Sequence, residues 1–226
     1  MERHFDEELK ALKKNILNMA SMVDELTGRA IKALKERDEA LAEEVEKADE
    51  VVDLLEIEID KQCLDLMARR QPLAIDLRFI TSVMKINNDL ERIGDLATTI
   101  AHKSRILLKY PPLKPLIDIP RMADMVREMI KESVNALVER DSVKAMKIIE
   151  MDNEVDSLYV QVFREILTYM MENNENIKSG IELILIAKYI ERMADHVTNI
   201  AEDIVYMIEG KTIKHGFETI DRAGGA

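Results

Sequence analysis

The feature that most constrains the fold of this chain is a twelve-residue segment that occurs twice. Residues 90–101 read LERIGDLATTIA, and residues 190–201 read IERMADHVTNIA. Six positions are identical, and the pairs Leu90/Ile190 and Ile93/Met193 each exchange one apolar residue for another. Agreement this dense predicts an internal duplication, in which the two halves of the chain fold in the same way.

The duplication extends toward the beginning of each half. Residues 33–38 (ALKERD) match residues 136–141 (ALVERD), and apolar residues recur every three or four positions along the chain. This period indicates amphipathic helices, and only 7 glycines and 5 prolines interrupt 226 residues. The chain is therefore predicted to be all-α, with three helices in each repeat. The predicted helices cover about residues 6–36, 38–67, 74–108, 118–139 and 141–171, and a sixth ends at 209.

Several residues are predicted to mark the ends of these helices. Asp38 and Asp141 have the side chains that cap helix starts, and Pro72 interrupts the pattern between the second and third helices. Gly210 suits the end of the sixth helix, and the tail after it is expected to be loosely held. A proline-rich stretch separates the repeats, so the predicted domains are residues 1–112 and 113–226.

Each repeat carries two pairs of acidic residues, and the members of a pair are four positions apart. This spacing places both carboxylates on one helix face, where like charges repel, so a ligand that favours the arrangement is expected. The second and third helices are predicted to form a hairpin that turns at Pro72. Asp53 and Glu91 are equally far from Pro72 in the sequence, and so are Asp49 and Asp95. The two members of each of these pairs should therefore lie side by side across the hairpin. The four pairs are Asp49 and Asp53, Glu91 and Asp95, Asp152 and Asp156, and Glu191 and Asp195.

Four carboxylates in each repeat, with few imidazoles and no thiolate beside them, point to a cation site. Hard cations such as Mg²⁺, Ca²⁺, Mn²⁺ and ferric iron prefer such ligands. If Leu90 and Ile93 face the core, Glu91 and Asp95 face outward, so the sites are predicted to be open at the surface. The alternative is that the acids only form salt bridges with nearby Arg and Lys on a solvated helix face.

Composition and motifs argue against several other functions. A net charge of −12 disfavours nucleic acid as a partner, and no stretch approaches the ~20 apolar residues of a membrane span. The first residues do not resemble a secretory signal. Cys63 is predicted to be a core thiol, and His196 a partly exposed side chain without a fixed role. No motif of a nucleophilic enzyme occurs in the sequence.

At the acidic motifs, the chain resembles the PhoU family of regulators of bacterial and archaeal phosphate uptake. The four Glu/Asp-x-x-x-Asp pairs match the metal-binding motif of that family, and the likeness covers about residues 4–210. Further segments similar to the family are HFDEEL at 4–9, ERD at 36–38, QP at 71–72, DLR at 76–78 and ERMADHVTNI at 191–200.

The resemblance implies two tandem three-helix bundles related by a pseudo-twofold axis, each with a surface site for iron, manganese, magnesium or a similar ion. It also implies a non-enzymatic cytoplasmic adaptor that contacts the ATPase subunit of the phosphate transporter and a sensor histidine kinase. Such a protein would reach the membrane only through its partners, and a homodimer is the expected oligomer. The hairpin tip Arg69–Pro72 is a candidate docking surface. The alternatives are a metal-free helical interaction protein and a carboxylate-metal hydrolase or oxidase.

Overall fold

The computed structural model describes residues 2–213, with side chains from residue 5 onward. Within this range, the regular structure consists of six long helices and one short 3₁₀ turn. The all-α prediction is confirmed. The helices are α1 (Glu2–Glu36), α2 (Glu39–Arg70), α3 (Ala74–Leu107), α4 (Asp118–Glu139), α5 (Ser142–Glu172) and α6 (Ile177–Glu209), and the 3₁₀ turn is Asn174–Asn176.

The predicted helix ends are largely confirmed. The Asp38 carboxylate accepts a hydrogen bond from the backbone N–H of Leu41, and the Asp141 carboxylate accepts from the N–H groups two and three residues further on. Gly210 ends α6 with φ at 73°. The chain leaves α2 at Gln71, where φ is 45°, because the proline that follows disfavours the α region at the residue before it. Of the tail predicted to be loosely held, residues 214–226 lie outside the described range.

Each repeat forms a bundle of three helices, and the two bundles share one core. Helices α1, α2 and α3 pack on one another, as do α4, α5 and α6, while α3 packs on α6 and α1 on α4 across the duplication. The predicted domain boundary after residue 112 falls in the segment between α3 and α4, and it stays a prediction. The apolar period predicted from the sequence places one stripe of α3 in the core, and this stripe is buried in full, namely Val83, Ile86, Leu90, Ile93, Ala97 and Ile100.

Polar contacts fix how the two bundles lie against each other. The Arg127 guanidinium donates two hydrogen bonds, of 2.8 and 3.0 Å, to the Asp24 carboxylate, which joins α4 to α1. Between α3 and α6, His196 Nδ1 lies 2.8 Å from Asp89 Oδ1. The expectation that His196 has no fixed role is therefore wrong, because the partner on α3 is close only in the folded chain. Among the described helices, none is long and apolar enough to cross a membrane.

Candidate metal sites

The first acidic cluster lies between α2 and α3. Asp49 and Asp53 are one turn apart on α2, and Asp95 faces them from α3. One oxygen atom from each of these carboxylates lies within 4.8 Å of the other two. Oxygen ligands sit about 2.0–2.6 Å from Mg²⁺ or Ca²⁺, so separations up to about twice that distance suit a single ion. The three carboxylates can therefore share one cation with little movement.

Glu91 borders this cluster. Burial raises the pKa of its carboxyl group, and the neighbouring Asp95 carboxylate raises the pKa further. The Arg92 guanidinium opposes this effect, since its Nε lies 3.4 Å from Glu91 and its Nη1 lies 3.3 Å from Asp95. The structure thus brings Asp49, Asp53 and Asp95 together and places Glu91 at their edge.

The second acidic cluster lies between α5 and α6 and has the same register. Burial, followed by the charges of Asp156, Asp195 and Glu191, raises the pKa of Asp152 to about 6. All four predicted residues of the second repeat therefore interact. Within the part of the chain that the structure describes, however, these four do not reach the close three-way approach found in the first cluster.

The second cluster also contains a lysine that the first cluster lacks. Lys188 Nζ lies 2.6 Å from the Glu191 carboxylate, one turn away on α6, and also lies over the ring of Tyr159. The equivalent position in the first repeat is Asn88, which carries no charge. The second cluster therefore has a built-in countercharge at Glu191. Sequence reasoning missed Lys188, although a lysine three residues before a helical glutamate is a recognisable pairing pattern.

The predicted exposure of the acidic residues is only partly right. Asp53, Asp156 and Asp195 are exposed, but Glu191 is 9 % exposed, so its predicted outward position is wrong. The cause is that α6 packs against three helices, α3, α4 and α5. Together they cover more of its surface than the single partner helix of an isolated hairpin would. The remaining members are half-buried, namely Asp49, Glu91, Asp95 and Asp152.

Each cluster contains buried carboxylate oxygens that accept no hydrogen bond. Among them are Oδ1 of Asp49 and Oδ1 of Asp152, which occupy equivalent positions in the two repeats. A buried acceptor without a partner costs about 1–3 kcal/mol. A cation bound in each groove would satisfy the oxygen and relieve the repulsion between the carboxylates, so the residues present fit a metal ion.

We expect Asp152→Asn to stabilise the metal-free protein at pH 7. The folded-state pKa of about 6 exceeds the ordinary value of 3.8. Between pH 3.8 and pH 6, the folded state therefore binds more protons than the unfolded state. Stability from this group is therefore greatest below pH 4 and falls as the pH rises through 6. The shift corresponds to roughly 3 kcal/mol, which solvent screening of a half-exposed group reduces to about 1–2 kcal/mol.

Denaturant unfolding with a chelator present, at pH 7 and at pH 4, measures this effect. The gain at pH 7 should disappear at pH 4, where the native aspartate is already protonated when folded. Glu154→Gln, at an exposed position on the same helix, is the matched control and should change stability little. A substitution at Asp152 that destabilises the protein at pH 7 would contradict the expected repulsion.

The fold and the two clusters define a class of protein, a duplicated three-helix bundle with a carboxylate group in each half. Two stretches of the chain, residues 16–104 and 119–204, match the family model of the PhoU domain. The chain therefore belongs to the PhoU family, and the resemblance drawn from its motifs is confirmed.

Curated relatives match nearly the whole chain. A protein of Aquifex aeolicus named phosphate-specific transport system accessory protein PhoU homolog is 43% identical over 208 residues, which cover 92% of this chain and 94% of that protein. PhoU homolog 2 of Thermotoga maritima is 36% identical over 214 residues, covering 95% of this chain and 91% of that protein.

Two solved structures share the fold. The crystal structure of PhoU from Pseudomonas aeruginosa matches with a TM-score of 0.88 and 33% identity, covering 91% of this chain and 99% of that one. The phosphate transport system regulatory protein PhoU from Streptococcus pneumoniae matches with a TM-score of 0.85 and 29% identity, covering 93% and 99%. The predicted pair of tandem three-helix bundles is therefore confirmed.

Proposed function

We propose that this protein is a non-enzymatic regulator of phosphate uptake and of phosphate-starvation signalling. It acts as a cytoplasmic adaptor, in homodimeric form, between the ATPase subunit of a phosphate transporter and a sensor histidine kinase. The observation that carries the proposal is the match to a phosphate-specific transport accessory protein over 92% of this chain and 94% of that relative. Because the match covers nearly the whole of both proteins, it supports assigning to this chain the role for which the whole relative is named.

The two acidic clusters are proposed to hold metal ions such as iron, manganese or magnesium. Asp49, Asp53 and Asp95, with Glu91 beside them, would hold the first ion. An ion in this groove would cross-link α2 to α3, and in the second groove α5 to α6, so metal binding would stiffen each bundle. The second set consists of Asp152, Asp156, Glu191 and Asp195.

A regulatory rather than catalytic role is supported by the reactive side chains. Cys63 is fully buried, and burial together with the charge of Asp60 raises the pKa of its thiol to about 12. Such a thiol stays protonated and unreactive at neutral pH. His196 is paired with Asp89, and no hydroxyl or thiol among the described residues hydrogen-bonds to the imidazole. Neither the Cys63 thiol nor the His196 imidazole is therefore placed to act as, or to activate, a nucleophile.

Exposed apolar residues give the adaptor candidate contact surfaces. The hairpin tip between α2 and α3 carries the exposed Arg69 beside Leu73 and Ile75, whose exposed fractions are 80% and 59%. On the outer face of α2, Leu54 and Ile57 are 62% and 61% exposed. Apolar residues on a surface that is otherwise charged suit contacts with partner proteins.

Deletion of the gene in the source organism tests the proposed function. At high phosphate, we expect the deletion strain to keep the transporter genes switched on and to take up phosphate faster than the parent strain. Purified protein should also bind the ATPase subunit and the cytoplasmic part of the kinase in a direct binding assay. Unchanged uptake and expression after deletion, together with no binding to either partner, would refute the proposal.

A further inference from the structure

A small pocket lies where the first turn of α3 meets the ends of α4 and α6. Its volume is about 150 Å³, and two of its lining residues are arginines. No acidic side chain is among the residues that line it. We call it the two-arginine pocket, and its lining residues are Ile75, Arg78, Phe79, Arg140, Met207 and Ile208.

Within the described part of the chain, neither arginine of this pocket has a hydrogen-bond or ion-pair partner. Nε of Arg78 is shielded from solvent and donates no hydrogen bond. Among residues 5–213, no carboxylate or carbonyl oxygen pairs with the side chain of Arg78 or Arg140. Several other arginines in this acidic chain do contact carboxylates, for example Arg70 on Glu8 and Arg105 on Glu43, at 2.9 and 3.1 Å. The pocket therefore concentrates unpaired positive charge in a protein whose net charge is −12.

Arg140 differs from its equivalent in the other repeat, whose guanidinium is hydrogen-bonded. The equivalent residue is Arg37, and both residues adopt left-handed backbone conformations, with φ values of 53° and 56°. The Arg37 guanidinium donates to the carbonyl oxygens of Leu107, Leu108 and Tyr110, at the end of α3. Up to residue 213, no residue at the end of α6 accepts a hydrogen bond from the Arg140 guanidinium, so its donors remain available to a ligand.

The acids next to the pocket in sequence are already engaged. Glu139 binds Lys144 at 2.7 Å, and Asp141 caps α5. The first turn of α3 contains Asp76, which does not line the pocket, and no side chain caps the start of that helix. The start of α3 adds positive potential, whereas the carbonyl ends of α4 and α6 add negative potential. The positive charge of the pocket therefore comes from the two guanidinium groups.

We propose that the two-arginine pocket binds a small tetrahedral oxyanion, orthophosphate in particular. Guanidinium groups bind such anions through paired, charge-assisted hydrogen bonds, and the apolar walls strengthen the attraction by lowering the local dielectric constant. The volume is below the roughly 300 Å³ at which pockets for larger organic ligands begin, which favours the free anion over a nucleotide. The choice of phosphate among oxyanions rests on the proposed function, whereas the anion site rests on the two arginines.

Calorimetric titration of the full-length protein with orthophosphate tests this proposal. A chelator is present throughout, so that no metal at the acidic clusters can hold the anion. We expect saturable binding, weakened at least about tenfold in Arg78→Gln and in Arg140→Gln, which is the effect of losing a charged hydrogen bond. Arg121→Gln removes the same charge from an exposed position of α4 and should leave the affinity unchanged.

Two further titrations identify the source of the anion. Adenosine monophosphate should bind more weakly than orthophosphate, because the nucleoside does not fit the pocket. Tighter binding of the monophosphate would overturn the assignment to the free anion. Competition by sulfate would support a tetrahedral oxyanion site.

A purely structural role for Arg78 is the main rival. Its guanidinium lies beside the glycine that ends α6, where a cation stabilises the helix end. In that case Arg78→Gln would lower the melting temperature without changing phosphate affinity, and that result would overturn the proposal. So would the absence of phosphate binding in the native protein, or full binding by the double variant. Arg140→Gln keeps the test valid if Arg78→Gln fails to fold.

This test is independent of the test of the regulatory role. Phosphate binding in the tube together with unchanged uptake after gene deletion would remove the regulatory role and keep the anion site. Altered phosphate uptake after gene deletion, without phosphate binding by the purified protein, would keep the regulatory role and remove the anion site.

Discussion

Adding Mn²⁺ to the chelator-treated protein is expected to raise its unfolding free energy, and Asp49→Asn combined with Asp95→Asn is expected to remove most of that increase. A ligand that binds only the folded state stabilises it by mass action, by about 2.7 kcal/mol at one hundred times the dissociation constant. The first cluster should contribute more of the Mn²⁺-induced stabilisation than the second cluster, because three of its oxygens already lie within 4.8 Å of one another.

The control for this experiment is a second pair of acids with the same spacing. Asp124 and Glu128 are exposed and four residues apart on α4, and they are not part of either cluster. Asp124→Asn combined with Glu128→Gln should therefore keep the full response to Mn²⁺. If the native protein neither melts at a higher temperature with Mn²⁺, Mg²⁺ or ferric iron nor retains metal by elemental analysis, the metal proposal fails.

Leu90→Ala should destabilise the whole protein by about 3–5 kcal/mol, the upper part of the range for a buried leucine. Leu90 is 1% exposed and lies where α1, α3, α4 and α6 meet, close to Ile16, Leu137 and Ile200. Truncation there leaves a cavity between the two bundles rather than inside one of them. Because the core is shared, we expect a single unfolding transition at lower denaturant concentration.

An exposed leucine serves as the matched control for this substitution. Leu54 on α2 is 62% exposed, so Leu54→Ala should change the unfolding free energy by less than about 0.5 kcal/mol. Chemical denaturation followed by circular dichroism and by calorimetry measures both variants. Two separate transitions, with only one of them moved by Leu90→Ala, would show that the bundles unfold independently.

Much of the architecture could be predicted because it depends on local order along the chain. The apolar period gave the core stripe of α3, and Asp38 and Asp141 gave the starts of two helices. The pairing of Asp49 with Asp95 followed from their equal distance to Pro72, since antiparallel helices joined by a short turn have a fixed register. Each of these inferences needs only the geometry of one helix or one hairpin.

The sequence by itself determined the all-α class, the duplication and the level pairing of the carboxylates, because helical period and hairpin register are local properties. Only the tertiary structure decided the burial of Glu191, the contact of His196 with Asp89 and the meeting of Arg78 with Arg140. These features arise where α3 and α4 lie against α6, between residues far apart in the chain. Their geometry depends on how the two bundles pack, and no local pattern in the sequence specifies that packing.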